Sequence, residues 1–479
     1  NNLLLPPPPI EKGTTTKEQL PESMSDVTTS LDTDTIAAIA TPSGSGGVGI
    51  IRLSGVNALS IGQTVSNLPV LAPRYAAYTQ FYAKDGAAID SGLILYFPNP
   101  HSFTGEDVVE LHGHGGQLIL SMILRRCLEL GAREARAGEF SERAFLNEKL
   151  DLVQAEAIAD LINAQTESAA RQAQASLQGK FSENINDIAR QMVALRMYVE
   201  AAIDFPEEEI DFLSEGKVAH QLATLLEDAH ALCSAAAQGA IYRTGATVVL
   251  AGKPNAGKSS LMNYLAGDAI AIVTDQPGTT RDVVKEHINI NGVPIYLTDT
   301  AGLRETDDVI EKEGVRRARQ AITQADITLH LVDDTDIVST DTLDLTGHCI
   351  KVLTKIDLSG RTPGVINKGE HSDHIDSPVV GISVQTGEGV DTLKAVLIDA
   401  LGLNSPGETL FSARERHIKA LNQAIELLET AQDQFLSSGA GELLAEDLRL
   451  AHNYLGAITG KMSNDDLLGE IFSSFCIGK

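Results

Sequence analysis

Gly252-Lys253-Pro254-Asn255-Ala256-Gly257-Lys258-Ser259 decides how this chain is to be read. The run satisfies GxxxxGK[ST]; it follows an apolar, strand-like stretch at Ala246 to Ala251 and leads into an amphipathic helical pattern. In that setting, successive backbone N–H groups and a helix N-terminus gather positive potential where phosphates sit. Lys258 is expected to bridge the β- and γ-phosphates, and Ser259 to ligate Mg²⁺. A glycine-rich turn with no ligand would account for this loop alone, but not for the motifs that follow it in order.

Downstream comes Gly278-Thr279-Thr280-Arg281-Asp282, where Thr280 supplies a second Mg²⁺ ligand, and then Asp299-Thr300-Ala301-Gly302 after the strand-like Ile295 to Thr298. Asp299 reads as a Walker-B carboxylate. Thr354-Lys355-Ile356-Asp357 ends the apolar run Cys349 to Leu353. A carboxylate there accepts both N1–H and N2–H₂ of guanine, a pair that adenine does not donate, so Asp357 selects GTP over ATP. The usual pattern is NKxD; Thr354 stands in the Asn place, and one side-chain amide tether is expected to be lost. Ser383-Val384-Gln385, after Val379 to Ile382, matches the weak last motif whose backbone N–H meets the guanine oxygen.

The catalytic water is a different matter. The residue after the DTAG glycine is Leu303, which has no polar group to orient a water as glutamine would. Arg304, Glu305, Asp307, Asp308, Glu311 and Glu313 are all candidates on the residues alone, and a solvated acidic face explains them equally.

Outward from this unit, 479 residues suggest about three domains at roughly 150 residues each. Residues 1–30, with Pro6 to Pro9 and no periodicity, read as a disordered leader or expression remnant, with Met24 as the natural start. Residues 31–147 alternate short β-like runs (Ile36 to Ala40, Gly49 to Leu53, Leu93 to Phe97, Val108 to Leu111) with glycine turns and one helix, Gln117 to Leu130: an α+β domain. Residues 148–240 carry Ile185, Ile188, Met192, Leu195 and Val199 at three- and four-residue steps, the stripe of a helical bundle. Residues 241–403 alternate strands and helices, as a parallel sheet covered by helices requires. Residues 404–479 return to long helices, about Ala413 to Phe435 and Leu443 to Gly460. Helices on both sides of an intact α/β unit imply that it is inserted into the bundle.

Acidic residues number 65 against 37 basic ones, a formal charge of −28, so any RNA contact is expected to be confined to a local basic cluster or shared with a partner. No apolar run approaches the roughly 18 residues of a bilayer crossing, and no membrane span is expected. Cys127, Cys233, Cys349 and Cys476 lack CxxC spacing, which speaks against a disulfide framework or zinc knuckle and suits a reducing cytoplasm.

Three other patterns compete for function. Gly44-Ser45-Gly46-Gly47-Val48-Gly49 spells GxGxxG, yet it leads into a strand and no acidic residue stands about 20 positions on. His112 and His114 share a strand face without a third metal ligand. Cys476-Ile477-Gly478-Lys479 fits prenylation poorly. Its thiol reads either as a small hydrophobe or as a nucleophile.

Taken together, GKPNAGKSS, GTTRD, DTAGLRE, the opening DTIAAIATPSGSGGVGIIRLSG, SFTGEDVVELHGHGG, ARAGEFSERAFLNEKLDLVQAEAI and the terminal FCIGK resemble the MnmE (TrmE) family of tRNA-modifying GTPases from about Asp34 to Lys479. The resemblance implies a multidomain fold: an N-terminal α+β folate-binding and dimerisation domain, an α-helical domain, and an inserted Ras-like P-loop GTPase domain. It implies a K⁺-activated homodimer in which Asn255, Thr274, Gln276 and Thr279 hold K⁺, Ser259 and Thr280 hold Mg²⁺, and Glu311 orients the water beside Lys258 and Thr280. Its GTP/GDP-binding set extends through Ser260, Asp275, Pro277 and Gly278. It implies a tetrahydrofolate derivative (5,10-methylene or 5-formyl) at Arg52, Glu110, Lys149 and Lys479. It also implies a partner, MnmG (GidA), which carries FAD, in a heterotetramer or larger complex acting on C5 of the tRNA wobble uridine. The rival readings are a ribosome-assembly or regulatory GTPase switch, against which stands the absence of a GxxG RNA-binding module or basic tail, and a P-loop ATPase, against which stands Asp357.

Overall fold

A computed structural model describes residues 34–204, 216–268, 285–299, 320–336, 348–366, 378–403, 411–461 and 465–478. They divide into two compact units, one built from residues 43–98 and 106–134 with the start of the first strand, the other from 38–42, 99–105 and the chain beyond 135.

The first unit is a six-stranded sheet carrying two helices. Its elements are β1 (Ile36–Ile39), β2 (Gly46–Ser54), α1 (Ala58–Ser66), β3 (Ala77–Tyr82), β4 (Ala88–Phe97), β5 (Val108–Gly115), α2 (Gln117–Glu129) and β6 (Arg133–Glu134), with strand order β3-β4-β5-β2-β1-β6. The sequence reading found one helix here and missed α1 and β3. α1 is Ser-, Thr- and Gly-containing and has weak intrinsic propensity; it is held by burial of Ala58, Ile61 and Val65. The Gly44–Gly49 run enters strand β2 rather than a phosphate-binding turn.

In the second unit, α3 (Glu139–Leu146), α4 (Leu152–Asn163), α5 (Glu167–Leu177), α6 (Lys180–Asp204) and α7 (Lys217–Thr244) precede the α/β unit; helices Glu415–Ser438, Gly441–Thr459 and Asp465–Ser473 follow it. α4 starts on a capping box, Asp151 accepting from the Gln154 N–H while Gln154 accepts from the Asp151 N–H. Ile185, Ile188, Met192, Leu195 and Val199 are all buried, in one core with Leu222, Leu421, Leu428, Leu448 and Leu455 from helices on either side of the α/β insert. At about 1.5–3 kcal/mol for each large side chain removed from water, this shared core holds the bundle together across the insertion.

The chain leaves and re-enters the bundle at one place. Arg243 Nε donates to the Ala413 carbonyl at 3.1 Å, Phe411 stacks on Phe181 with ring centroids 4.3 Å apart, and a Cβ at Gly239 would meet the Phe411 oxygen at 2.1 Å. Only glycine lets the returning chain pass α7 so closely.

The insert is a seven-stranded sheet ordered β12-β13-β11-β10-β7-β9-β8. Its strands are β7 (Ala246–Ala251), β8 (Lys285–Ile290), β9 (Val293–Asp299), β10 (Ile327–Asp333), β11 (Cys349–Thr354), β12 (Gly364–Ile366) and β13 (Val379–Gly381). The five central strands are parallel, as the alternating pattern requires, but both edges are antiparallel. β8 and β9 form a hairpin on Asn291-Gly292, both at positive φ. That dipeptide is the strongest short hairpin signal.

Candidate functional site

The phosphate loop joins β7 to α8 (Lys258–Asp268), whose buried Leu261 and Leu265 fix it on the sheet. Gly252 has φ +141°, and a Cβ there would lie 2.3 Å from the Leu331 carbonyl oxygen, so the strand can turn out over β10 only at glycine. Asn255 takes a left-handed conformation, φ 67°, which asparagine tolerates better than most residues. Lys258 is buried, and its Nζ donates to the carbonyls of Gly252 and Lys253 at 2.8 Å each, which places the ammonium inside the loop. Ser259 Oγ donates to Asp299 Oδ2 at 3.3 Å. The register that sets Leu250 beside Asp299 brings these two oxygens together from distant positions, and a hydroxyl beside a carboxylate is the hard-oxygen donor set that Mg²⁺ favours. Ala256 and Gly257 close the loop, and Ser260 follows on the exposed side of α8.

At the end of β11, Thr354 is tied to the phosphate loop. Its side chain is buried, and Oγ1 donates to the Ala256 carbonyl at 2.9 Å, with Val332 O at 3.3 Å. β11 ends close enough to the phosphate loop for a three-atom side chain to reach it, so the hydroxyl links the two. Thr354→Val keeps the shape and removes this donor; it is expected to weaken guanine-nucleotide binding about three- to tenfold, read by fluorescent-GDP titration, since one net hydrogen bond is worth about 0.5–1.5 kcal/mol.

Lys355, in a left-handed conformation at φ 60°, turns its ammonium onto Asp333 Oδ2 at 2.6 Å. Asp357 stands exposed in the short helix Ile356–Ser359, whose Ile356 plugs the core beneath it. The Ile356 N–H donates to the Ile382 carbonyl at 3.4 Å, bringing the Asp357 turn beside buried Ser383, half-buried Val384 and exposed Gln385. Two residues here were missed in the sequence. Asp333 pairs with Lys355, and buried Asp334 takes Arg361 Nε at 2.9 Å and the hydroxyl of Ser359. The only local signal was a pair of carboxylates closing an apolar strand. Thr274, Asp275, Gln276, Pro277, Gly278, Thr279, Thr280, Thr300, Ala301, Gly302, Glu311 and Lys479 lie outside the described residues.

In the N-terminal sheet, Arg52 and Glu110 are cross-strand partners, with Arg52 Nη2 to Glu110 Oε1 at 2.9 Å and Nε at 3.0 Å. His112 Nε2 reaches the other oxygen of Glu110 at 3.1 Å. That hydrogen bond, helped by the Arg52 charge, holds the Glu110 carboxyl below its ordinary range although burial opposes it. Lys149, in the second unit, donates to the Pro100 carbonyl at 3.0 Å. His114 pairs with Asp90 instead, and among the described residues no three His, Cys, Asp or Glu side chains gather as a metal site. The Cys476 thiol is exposed, on a segment whose carbonyl accepts the Gly138 N–H. No helix among the described residues is long and apolar enough to cross a membrane.

A buried lysine in a phosphate loop, a hydroxyl–carboxylate pair beside it and an aspartate-bearing turn at the end of the fourth parallel strand define a P-loop GTPase, here set inside a helical domain. Family models for the GTP-binding protein TrmE N-terminus and the MnmE helical domain match residues 35–149 and 152–476. The tRNA modification GTPase MnmE of Stutzerimonas stutzeri (strain A1501) is 52% identical over 456 residues, spanning 93% of this chain and 99% of that protein. The protein of that name from Vibrio cholerae serotype O1 (strain El Tor Inaba N16961) is 51% identical over 461 residues, spanning 94% and 100%. Among solved structures, the G domain of the T. maritima FeoB iron transporter is 28% identical, covering 32% of this chain and 98% of that one, with a TM-score of 0.25. The chain belongs to the tRNA modification GTPase MnmE family.

Proposed function

We propose that this chain, a GTPase of tRNA modification, works as a K⁺-activated homodimer that, with an FAD-carrying MnmG partner and a tetrahydrofolate one-carbon donor, places a carboxymethylaminomethyl or aminomethyl group on C5 of the wobble uridine. The observation that carries the nucleotide half is the convergence of Lys258, Ser259 and Asp299 at one end of the parallel sheet. Lys258 binds the β- and γ-phosphates once its ammonium leaves the Gly252 and Lys253 carbonyls for them, and Asp357 reads the guanine edge. Ser259 and Thr280 would hold Mg²⁺, with Asp299 behind Ser259; Asn255, Thr274, Gln276 and Thr279 would hold K⁺, and Glu311 would orient the water. Bound Mg²⁺ and K⁺ supply positive charge where the transition state develops negative charge. In the folate assignment, the Arg52–Glu110–His112 constellation offers a cation and a fixed carboxylate on one face of the β2–β5 pair, which suits the donor and acceptor edges of a pterin. Arg52, Glu110, Lys149 and Lys479 are its proposed binding residues.

Hydrolysis is expected to run at least about tenfold faster in K⁺ than in Na⁺, with the difference abolished in Asn255→Ala, because one fixed charge at the transition state is worth factors of this order or more. Equal rates in the two salts would remove the cation from the mechanism. Calorimetry with a reduced folate separates this reading from a GTPase that acts only as a regulatory switch, for which no uptake is expected.

A further inference from the structure

Among the described residues, the polar junction through which the chain enters and leaves the α/β unit carries more positive side-chain charge than negative. Asp160 on α4 sits between Arg414, whose Nη2 it accepts at 2.8 Å, and Arg243, whose Nη1 stops at 3.7 Å, beyond hydrogen-bond length. The other Asp160 oxygen is taken by the Ser412 hydroxyl at 2.8 Å. Behind them Glu156 is occupied by Arg416 through two 2.7 Å bonds and by His417 at 2.9 Å. Among the described residues three guanidiniums thus face two carboxylates, while burial keeps the His417 imidazole from charging despite Glu156. Arg414 Nε, sealed from solvent, has no hydrogen-bond partner among the described residues.

This surplus faces an open cavity of about 220 Å³ lined by Asp160, Asn163, Ala164, Arg243, Arg414 and Ser474. Among the described residues Arg243 donates only its Nε, to the Ala413 carbonyl, which leaves its terminal nitrogens as a fork of donors at the cavity wall. A planar fork of N–H groups with uncompensated charge matches the paired oxygens of a phosphate. In a chain of formal charge −28, such a spot is also where an anion is not repelled.

From this geometry we infer that the cavity at Arg243 and Arg414 is a second anion site, distinct from the phosphate loop, which takes a phosphate group, either free or as a phosphodiester of bound tRNA. Neither the potassium nor the folate assignment is needed for it.

The test uses the full chain with its phosphate loop filled by Mg·GDP, so that only additional binding is read, and titrates inorganic phosphate by ³¹P line broadening. Wild type is expected to take up one phosphate. Arg243→Gln is expected to weaken it at least about tenfold, the loss of charged hydrogen bonds, and Arg243→Lys to keep part of it. Ala164→Glu, which brings a carboxylate to the cavity without touching the ion pairs, is expected to expel phosphate as well, and unfolding midpoints show that each variant is folded. Competition then identifies the source. Displacement by tRNA, with a salt slope of tRNA binding reduced by about one in Arg243→Gln, assigns the site to the RNA backbone; phosphate retained beside bound tRNA assigns it to a free anion. Either result supports the site. No phosphate uptake beyond the filled loop, or equal uptake by wild type and Arg243→Gln, overturns it.

Discussion

Lys258→Ala is expected to lower GTP affinity by about a hundredfold and to bring hydrolysis to background. The ammonium is buried inside the loop and aimed at its backbone oxygens, where bound phosphates would take it up. Charged hydrogen bonds are worth about 1.5–3 kcal/mol each, and removing a group that meets transition-state charge lowers a rate by about 10²–10³. The fold should survive, because Leu261 and Leu265 keep α8 on the sheet. Equilibrium binding of fluorescent GTP and single-turnover hydrolysis give the two numbers. A variant that retained wild-type affinity would mean that the phosphates lie elsewhere.

The second large effect is on stability. Glu156 is buried on α4 and joins Arg416 and His417, whose helix begins after the α/β insert, to the first part of the bundle. Burial, the largest single influence, favours its neutral form, but His417 and Arg416 together outweigh it and hold the carboxyl well below the usual range. At His417 burial wins instead: the pKa falls, and the neutral ring accepts the Arg414 backbone N–H at Nδ1 while Nε2–H donates to Glu156. Glu156→Ala leaves half-buried guanidinium charge unanswered and is expected to cost about 3 kcal/mol, read by urea denaturation. Glu167→Ala, at the exposed Arg171–Glu167 pair, is the control and should be silent.

Both groups bear on pH in one direction. Each has a folded pKa below its unfolded one, so the unfolded chain binds more protons in acid and stability falls as pH falls. His417 begins the loss as pH drops through about 6.5, and Glu156 adds to it below about 4.5, the ordinary values that their unfolded forms retain. In Glu156→Ala the component below 4.5 should disappear.

How much of this was legible in the sequence differs from residue to residue. The strand at Ala246–Ala251 was read to the residue, because an apolar run before a glycine-rich loop leaves little choice. The α6 stripe was equally plain, since Ile185 through Val199 follow one helical period. The bond from Thr354 to the phosphate loop is not legible locally, because it depends on how near β11 ends to Ala256, a distance set by sheet register. Glu156, His417 and Arg416 were invisible for a related reason: about 260 positions separate the carboxylate from its partners, and only closure of the bundle around the insert brings them together. The edge strands were lost to brevity and turn chemistry, β12 being three residues long and β8 depending on Asn291-Gly292.

On the proposed function, nucleotide turnover in this loop drives tRNA modification. It is tested most directly by quantifying the C5-modified wobble uridine in tRNA from cells lacking their own copy and expressing either this chain or its Lys258→Ala form at equal levels. Restoration by the first and none by the second is the predicted result; full modification with Lys258→Ala would contradict it.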